Sequence, residues 1–170
     1  PNQKNPEGQG ISPGNKLVKK NWPQYYRPDV LGGKTGYTSI ALNTLVNGAR
    51  QGDTTLITVI LHSNNTQYED TSRLLDFGFN NFQSVKIADY DQTFSNIGKD
   101  LKIADVSTAG GESLSIDPDS RVVLPKTADF SETTTSFDYE IPAGAPDGTI
   151  ACVTYSLGEH KVGQAYLTLT

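Results

Sequence analysis

The sequence predicts two units: an α+β unit at residues 1–83, built from an antiparallel meander and one helix, and a small all-β sandwich at residues 84–170. Two observations support this division. Three neighbouring segments rich in β-forming residues precede one amphipathic segment with helical spacing. After residue 83 the pattern changes to short apolar runs separated by Gly, Pro, Asp and Ser, which is typical of an all-β unit.

The first 30 residues carry prolines among glycines and asparagines, so no continuous helix is expected there. Lys16-Leu17-Val18 is the plausible short strand of this region. Two interpretations remain open for the aromatic residues Trp22, Tyr25 and Tyr26. They form either an aromatic wall beside a cleft or an ordinary packing cluster.

The meander is predicted from a hairpin and one preceding strand. Residues 41–49 and 54–61 are rich in β-formers, and Gln51-Gly52-Asp53 between them is a turn. The glycine-rich segment that includes Lys34 adds the third strand. In the strand at 54–61, apolar side chains occupy both faces, with Leu56 and Ile60 on one and Ile57, Val59 and Leu61 on the other. Both faces of this strand therefore need cover.

A helix is predicted over residues 66–82, with Thr66 as its N-cap and Glu69 completing a capping box. Its apolar stripe consists of Tyr68, Thr71, Leu75, Phe79 and Phe82. This stripe can cover one face of the meander, and nothing else in residues 31–82 can cover the other. Because a large apolar patch is unfavourable in water, we expect the second face to promote self-association of the chain.

The second unit is predicted to contain about seven strands, separated by turn residues. They lie at 85–87, 101–103, 114–116, 121–124, 137–141, 150–156 and 162–169. A hairpin turn is expected at residues 157–161. Cys152 lies within a strand-like segment, so a buried, small apolar role is predicted for it.

Composition and charge argue against several kinds of site. A net charge of −5 with no large basic cluster argues against nucleic acid as a partner. One cysteine does not allow an intramolecular disulfide or a multi-cysteine metal site. His62 and His160 have no cysteine or carboxylate at metal-ligand spacing, so a structural or exposed role is expected for both. The sequence therefore predicts neither a metal site nor a cofactor.

Chemistry is concentrated in the segment Gly32-Gly33-Lys34-Thr35-Gly36-Tyr37-Thr38. Lys34 supplies a compact positive charge and Thr35 a hydroxyl, which together suit a carboxylate. The missing side chain at Gly36 lets an extended peptide approach the strand edge. The alternative interpretation is an exposed strand with a surface lysine and a bulge glycine.

The Lys-Thr-Gly segment resembles that of the low-molecular-mass penicillin-binding proteins, the serine-type D-alanyl-D-alanine carboxypeptidases. Residues 25–29 before it and 67–79 after it share the resemblance, which extends more weakly over 84–170. It implies that the first unit belongs to a penicillin-binding/β-lactamase-like transpeptidase domain outside the cytoplasmic membrane. The implied partners are β-lactams and peptidoglycan stem peptides that end in D-Ala-D-Ala.

The same resemblance implies roles for individual residues. The terminal carboxylate and the peptide would be held by Lys34, Thr35, Gly36, Tyr37 and Thr38. Catalysis would involve Lys34 and the backbone N–H of Tyr37, which forms half of an oxyanion hole. The family's Asn-x-Leu segment, which precedes this strand, would correspond to Asn15-Lys16-Leu17.

The chain departs from the family pattern in one respect: no serine is followed by lysine three residues later. Ser63-Asn64-Asn65 matches Ser-x-Asn but follows the Lys-Thr-Gly strand, so we interpret it as the cap region of the helix. Without a nucleophile, the isolated chain is predicted to be inactive. It begins with Pro1 and contains no methionine, which indicates a part of a longer protein whose N-terminal catalytic half is missing. The alternative is a non-catalytic, β-rich cell-wall-binding or spacer module, and the sequence upstream of Pro1 separates the two.

Overall fold

The computed structural model describes residues 12–94, 102–103, 106–107 and 114–169. The prolines predicted to prevent a helix at residues 1–11 lie outside the described residues. Two units divide the chain, Pro1–Asn80 and Asn81–Thr170. The assignment of these units to domains of a larger protein stays a prediction.

The first unit is built on the predicted antiparallel meander. Its strands are β1 (Val30–Thr38), β2 (Leu42–Gln51) and β3 (Thr54–Ser63), in the order β1-β2-β3. The β2–β3 turn contains Gly52 at φ 55°, a left-handed conformation that glycine adopts without strain. The sequence therefore predicted the number and order of these strands correctly.

One face of the meander is covered by helix α1 (Gln67–Asn81). On β2 the covered side chains are Leu45, Asn47 and Ala49, all at most 1% exposed. Two apolar clusters fill the interface: Leu17, Leu45 and Tyr68 form one, and Ala49, Leu75 and Phe79 form the other. The predicted stripe is confirmed at four of its five residues, since the buried residues of α1 are Tyr68, Thr71, Leu75 and Phe79, whereas Phe82 lies beyond the end of the helix.

The opposite face of the meander, which we call the outer face, is apolar and exposed. Val46 is 46% exposed and Val59, its cross-strand partner, is 53% exposed. Ile57 and Leu61 on β3 are also exposed, at 75% and 70%. Leu56 and Ile60 instead pack in the clusters of the covered face. The predicted separation of the β3 side chains into two apolar faces is therefore confirmed.

Three local predictions in the first unit were wrong. Lys16–Val18 forms a 3-10 helix rather than a strand, because the Asn15 side chain accepts the Leu17 N–H (3.0 Å) and the Lys19 N–H bonds to the Lys16 carbonyl (3.1 Å). At the start of α1 the Thr66 hydroxyl donates to Asp70 at 2.6 Å, one residue beyond the Glu69 of the predicted capping box. The helix ends at Asn81 and not at Phe82, which begins a strand.

Arg27 connects the segment before β1 to α1. Its guanidinium pairs with Asp29 at 2.8 Å and with Asp76 of α1 at 2.7 Å, and it also donates to the Ser72 carbonyl. Hydrogen bonding by Arg27 is the main cause that holds the pKa of Asp29 below its ordinary value of 3.8. The ion pair therefore stabilises the folded unit while Asp29 is ionised.

The stability of the first unit should fall in acid because of this pair. Since the folded pKa of Asp29 is lowered, the stabilisation is present above pH 3.8 and is lost as the pH falls through the folded value. Urea unfolding between about pH 5 and pH 2, followed by the fluorescence of the single tryptophan, Trp22, measures this loss. Asp29→Asn should flatten the acid slope, whereas Glu69→Gln, at an exposed position, should not. An unchanged slope in Asp29→Asn would contradict the assignment.

The described part of the second unit is all β apart from two 3-10 turns. A six-stranded sheet has the order β4-β8-β11-β10-β9, with β7 also paired to β11, and β5 and β6 form a separate two-stranded sheet. The strands are β4 (Phe82–Lys86), β5 (Lys102–Ile103), β6 (Val106–Ser107), β7 (Leu114–Ile116), β8 (Arg121–Pro125), β9 (Thr134–Asp138), β10 (Thr149–Leu157) and β11 (His160–Leu169). The all-β prediction for this unit is confirmed.

The longest strands of the second unit form the hairpin predicted at residues 157–161. Gly158 and Glu159 connect β10 to β11, and Gly158 has φ 59°. Cys152 on β10 is a free thiol, 7% exposed, as the sequence predicted. The strand predicted at 137–141 ends instead at Asp138, whose side chain accepts the Glu140 N–H and turns the chain. No helix in the described part of the chain is long and apolar enough to cross a membrane.

Candidate functional site

The Lys-Thr-Gly segment lies on β1, at one edge of the meander. Lys34, Thr35 and Gly36 are opposite Val46, Leu45 and Thr44 of β2. No described strand pairs with the other side of β1. An edge strand presents unpaired backbone groups, so an extended peptide can add to it by main-chain hydrogen bonds. The geometry is therefore suitable for peptide recognition.

Lys34 carries an exposed ammonium group at this edge. Its Nζ donates to the carbonyl oxygen of Thr35 at 2.6 Å. The ion pairs of Arg27 do not include Lys34, and no carboxylate among the described residues pairs with it. A neutral carbonyl leaves the charge of an ammonium uncompensated. Lys34 can therefore bind an anionic group on a ligand.

Lys34 and Thr35 lie on opposite faces of the sheet. Lys34 is opposite the exposed Val46, whereas Thr35 is opposite the fully buried Leu45. Thr35 is half-buried, and its Oγ1 would be 2.8 Å from a Cβ added at Gly14. Successive side chains of a strand alternate between faces, so a ligand that contacts both residues must lie along the edge of β1.

Two of the three glycines of the segment lie too close to β2 for a side chain. A Cβ at Gly36 would lie 2.5 Å from Thr44 Oγ1 on β2. A Cβ at Gly33 would lie 2.4 Å from the Val46 carbonyl oxygen and 2.9 Å from Asn47 Oδ1. Neither position has room for a side chain without movement of a neighbour. Gly36 therefore accommodates Thr44 in addition to any role toward a peptide.

Tyr37 and Thr38 complete the predicted binding set at the end of β1. Tyr37 is 68% exposed. The Thr38 hydroxyl accepts the Ala41 N–H at 2.8 Å and so stabilises the turn into β2. The predicted contribution of the Tyr37 N–H to an oxyanion hole stays a prediction.

A buried amide pair supports β1 from the covered side. Asn15 and Asn47 are each 1% exposed, and Asn15 Nδ2 donates to Asn47 Oδ1 at 2.8 Å. Both amides lie against the bare backbone of Gly33. Asn15 thus joins the 3-10 helix to the strand that carries Lys34. The family's Asn-x-Leu segment had drawn attention to Asn15 in the sequence. Nothing in the sequence pattern of β2 indicated a role for Asn47.

The aromatic residues near the N terminus surround a lysine. Lys16 Nζ lies 4.1 Å from the centre of the Trp22 ring, 5.2 Å from that of Tyr25 and 5.4 Å from that of Tyr68. These distances are typical of cation–π interactions. Of the two interpretations of this cluster, packing accounts for Trp22 and Tyr25, because both contact a lysine of the chain itself.

The remaining candidates have local roles. Ser63 Oγ accepts the Thr66 N–H at 3.1 Å immediately before α1, which agrees with its interpretation as part of the cap region. His62 precedes it with φ 55°. Within the described ranges, no three His, Cys, Asp or Glu residues are grouped so as to hold a metal ion.

Comparison with known proteins identifies the fold. No family model matches the chain, and no curated protein matches it in sequence. Penicillin binding protein 5 from Haemophilus influenzae matches in structure over 84% of this chain and 42% of its own, with 23% identity and a TM-score of 0.55. The chain has the fold of a penicillin-binding protein. This agrees with the resemblance carried by the Lys-Thr-Gly segment.

A second penicillin-binding protein supports the same conclusion. It is a peptidoglycan synthesis regulatory factor (PBP3) from Streptococcus pneumoniae, matched over 95% of this chain and 47% of its own, with 20% identity and a TM-score of 0.62. The chain therefore spans less than half the length of each of these penicillin-binding proteins. The predicted combination of a meander with one helix and an all-β unit is confirmed as part of this fold.

Proposed function

We propose that this chain is the C-terminal part of a serine-type D-alanyl-D-alanine carboxypeptidase. The complete enzyme removes the terminal D-alanine from peptidoglycan stem peptides on the outer side of the cytoplasmic membrane, and penicillins acylate it. The observation that carries the proposal is the unpaired ammonium of Lys34 on an edge strand of a penicillin-binding protein fold. A carboxypeptidase needs such a cation to recognise the free carboxylate beside the bond that it cuts.

Each residue of the edge has a role in this proposal. Lys34 and Thr35 hold the terminal carboxylate of the substrate from the two sides of β1. The substrate backbone extends β1 past Gly36, and Thr38 holds the turn that ends the strand. The N–H of Tyr37 donates to the oxygen of the attacked carbonyl as negative charge develops on it.

The nucleophile comes from a portion of the enzyme that this chain does not contain, since none of its serines belongs to Ser-x-x-Lys. The outer face supports this proposal, because Val46, Ile57, Val59 and Leu61 form an exposed apolar surface on a sheet of only three strands. In the complete enzyme the missing catalytic portion covers this surface. In the isolated chain the same surface is open to a second copy, and self-association stays a prediction.

Sequencing upstream of Pro1, followed by acylation of the complete product, tests the proposal. The gene should encode Ser-x-x-Lys and then Ser-x-Asn before Pro1. Intact-mass measurement after incubation with penicillin should show one penicilloyl group on the complete product, because its serine has a base and an oxyanion hole. The 170-residue chain should gain no mass.

The complete product and the 170-residue chain serve as controls for one another. An upstream sequence without these motifs would favour the non-catalytic wall-binding or spacer module instead. A stable adduct on the 170-residue chain would show that another nucleophile operates, and the assignment of the missing serine would then be wrong.

A further inference from the structure

The second unit contains an open cavity of about 460 Å³ that is separate from β1. It lies among the 3-10 turns at residues 87–89 and 130–132 and the strands β9 and β10. Its described lining residues are polar, acidic or aromatic, and none of those described is basic: Tyr90, Asp91, Gln92, Thr93, Asp129, Phe130, Ser131, Thr133, Thr135 and Tyr155. We refer to this cavity as the acidic pocket.

Three aromatic rings form one side of the acidic pocket. Tyr90 stacks on Phe130 with ring centres 5.2 Å apart, and Phe130 contacts Tyr155 at 5.7 Å. Tyr155 is fully buried, whereas Tyr90 is 56% exposed. The buried Tyr155 ring supports Phe130, which in turn supports Tyr90. Tyr90, the outermost ring, presents π surface to a ligand. Such a surface attracts cations.

Two carboxylates lie in the same lining and are held in place by protein donors. Asp91 accepts the Tyr155 hydroxyl at 2.7 Å and the Thr93 N–H at 2.9 Å. Burial raises the pKa of Asp91, but these hydrogen bonds outweigh it and leave the pKa below its ordinary value. Hydrogen bonds from Ser131 lower the pKa of Asp129 as well. Both groups are therefore negatively charged at neutral pH.

The hydrogen-bonding groups of the pocket indicate what kind of ligand it suits. Four of its side-chain donors are engaged: Tyr155 bonds to Asp91, Ser131 to Asp129, Thr133 to the Phe130 carbonyl and Gln92 to the Ala88 carbonyl. Asp129 Oδ2, in contrast, has no hydrogen-bond partner among the described residues. The charged groups of the described lining, Asp91 and Asp129, are thus both acceptors. A ligand complementary to these two carboxylates donates hydrogen bonds and carries positive charge.

We propose that the acidic pocket binds an alkylammonium group, that is, a primary amine at the end of an aliphatic chain. The ammonium lies between Asp129 and the face of Tyr90, and the aliphatic part packs along the aromatic rings. An inorganic divalent cation fits less well, because no described cluster offers three metal-ligating side chains and the aromatic wall offers no ligand to a metal. This site is independent of the function proposed for β1.

Titration of the complete 170-residue chain with cadaverine, followed by amide chemical shifts, tests this proposal. Saturable shifts should appear at residues 90–93 and 129–135, with a dissociation constant on the order of 1 mM. 1,5-Pentanediol, which has the same length but no charge, should produce no saturable shifts. Raising the salt concentration should weaken the binding of cadaverine.

Three variants distinguish binding of cadaverine in the acidic pocket from its general electrostatic attraction to an acidic protein. Asp129→Asn retains the cap acceptor but removes the charge, and it should weaken binding about tenfold, as expected for one charge-assisted hydrogen bond. Tyr90→Ser should also weaken binding. Asp147→Asn removes a charge from an exposed turn of the same unit and should leave the affinity unchanged.

Three results would overturn the proposal. The first is equal weakening by Asp147→Asn and Asp129→Asn. The second is saturable binding of pentanediol with the affinity of cadaverine. The third is a pocket that responds to Ca²⁺ or Mg²⁺ but not to the amine, which would make it a metal site.

Discussion

Replacing Asn47 with alanine should lower the free energy of unfolding of the first unit by about 2–3 kcal/mol. The substitution removes the acceptor of Asn15 Nδ2 and leaves a buried amide donor without a partner. It also opens space beneath Gly33, where Asn47 Oδ1 now packs. Unsatisfied polar groups in a protein interior are more costly than the average hydrogen bond is favourable. The effect should therefore exceed that of most single substitutions in this unit.

Urea unfolding followed by Trp22 fluorescence measures this change, because the single tryptophan lies in the first unit. Asn80→Ala, at an exposed position of α1, is the matched control and should change stability by less than about 0.5 kcal/mol. If the two amides act as a pair, Asn15→Ala combined with Asn47→Ala should cost less than the sum of the single changes. Additive costs would show that the two side chains act independently.

Lys34→Ala in the complete enzyme should lower kcat/KM for D-Ala-D-Ala peptides by about 10- to 100-fold. This range corresponds to the loss of one charge-assisted contact worth about 1.5–3 kcal/mol. Thr35→Val should act in the same direction but more weakly, since a neutral hydroxyl contributes less than an ammonium. Rates of D-alanine release at several substrate concentrations measure both effects.

Lys20→Ala removes an exposed lysine outside β1 and should retain full activity. A substrate whose terminal carboxylate is amidated provides a second control, because it should lose the advantage that Lys34 confers. Equal rates for Lys34→Ala, Thr35→Val and the unmodified enzyme would contradict a role in substrate binding. They would favour the alternative interpretation of the Lys-Thr-Gly segment, an exposed strand with a surface lysine.

The parts of the fold that the sequence predicted well are those set by periodicity. Alternation along β3 separated Leu56 and Ile60 from Ile57 and Val59, and the structure places the first two in the apolar clusters. Helical spacing likewise predicted the stripe that includes Leu75. Both patterns follow from the geometry of one element and need no knowledge of its neighbours.

The parts that it predicted poorly depend on partners distant in the chain. Lys16–Val18 was predicted as a strand, but a hydrogen bond from the Leu17 N–H to the Asn15 side chain favours the 3-10 turn. The pairing of Asn15 with Asn47 connects residues 32 positions apart and has no local signal. At the candidate site, composition suggested that Lys34 and Thr35 act together. Strand alternation places them on opposite faces, and the register of β1 against β2 shows that Thr35 lies on the covered face and Lys34 on the other.

The position of β3 at the other edge of the meander affects how the chain behaves at high concentration. From Thr54 to Ser63 this strand contains no Asp, Glu, Lys, Arg, Gly or Pro, the residues that interrupt unwanted strand pairing. No described strand pairs with its outer side. A segment of this composition is a template for cross-β stacking, in which identical strands from many chains align by main-chain hydrogen bonds. The same strand that completes the sheet within one molecule thus gives the isolated chain a route to fibrils.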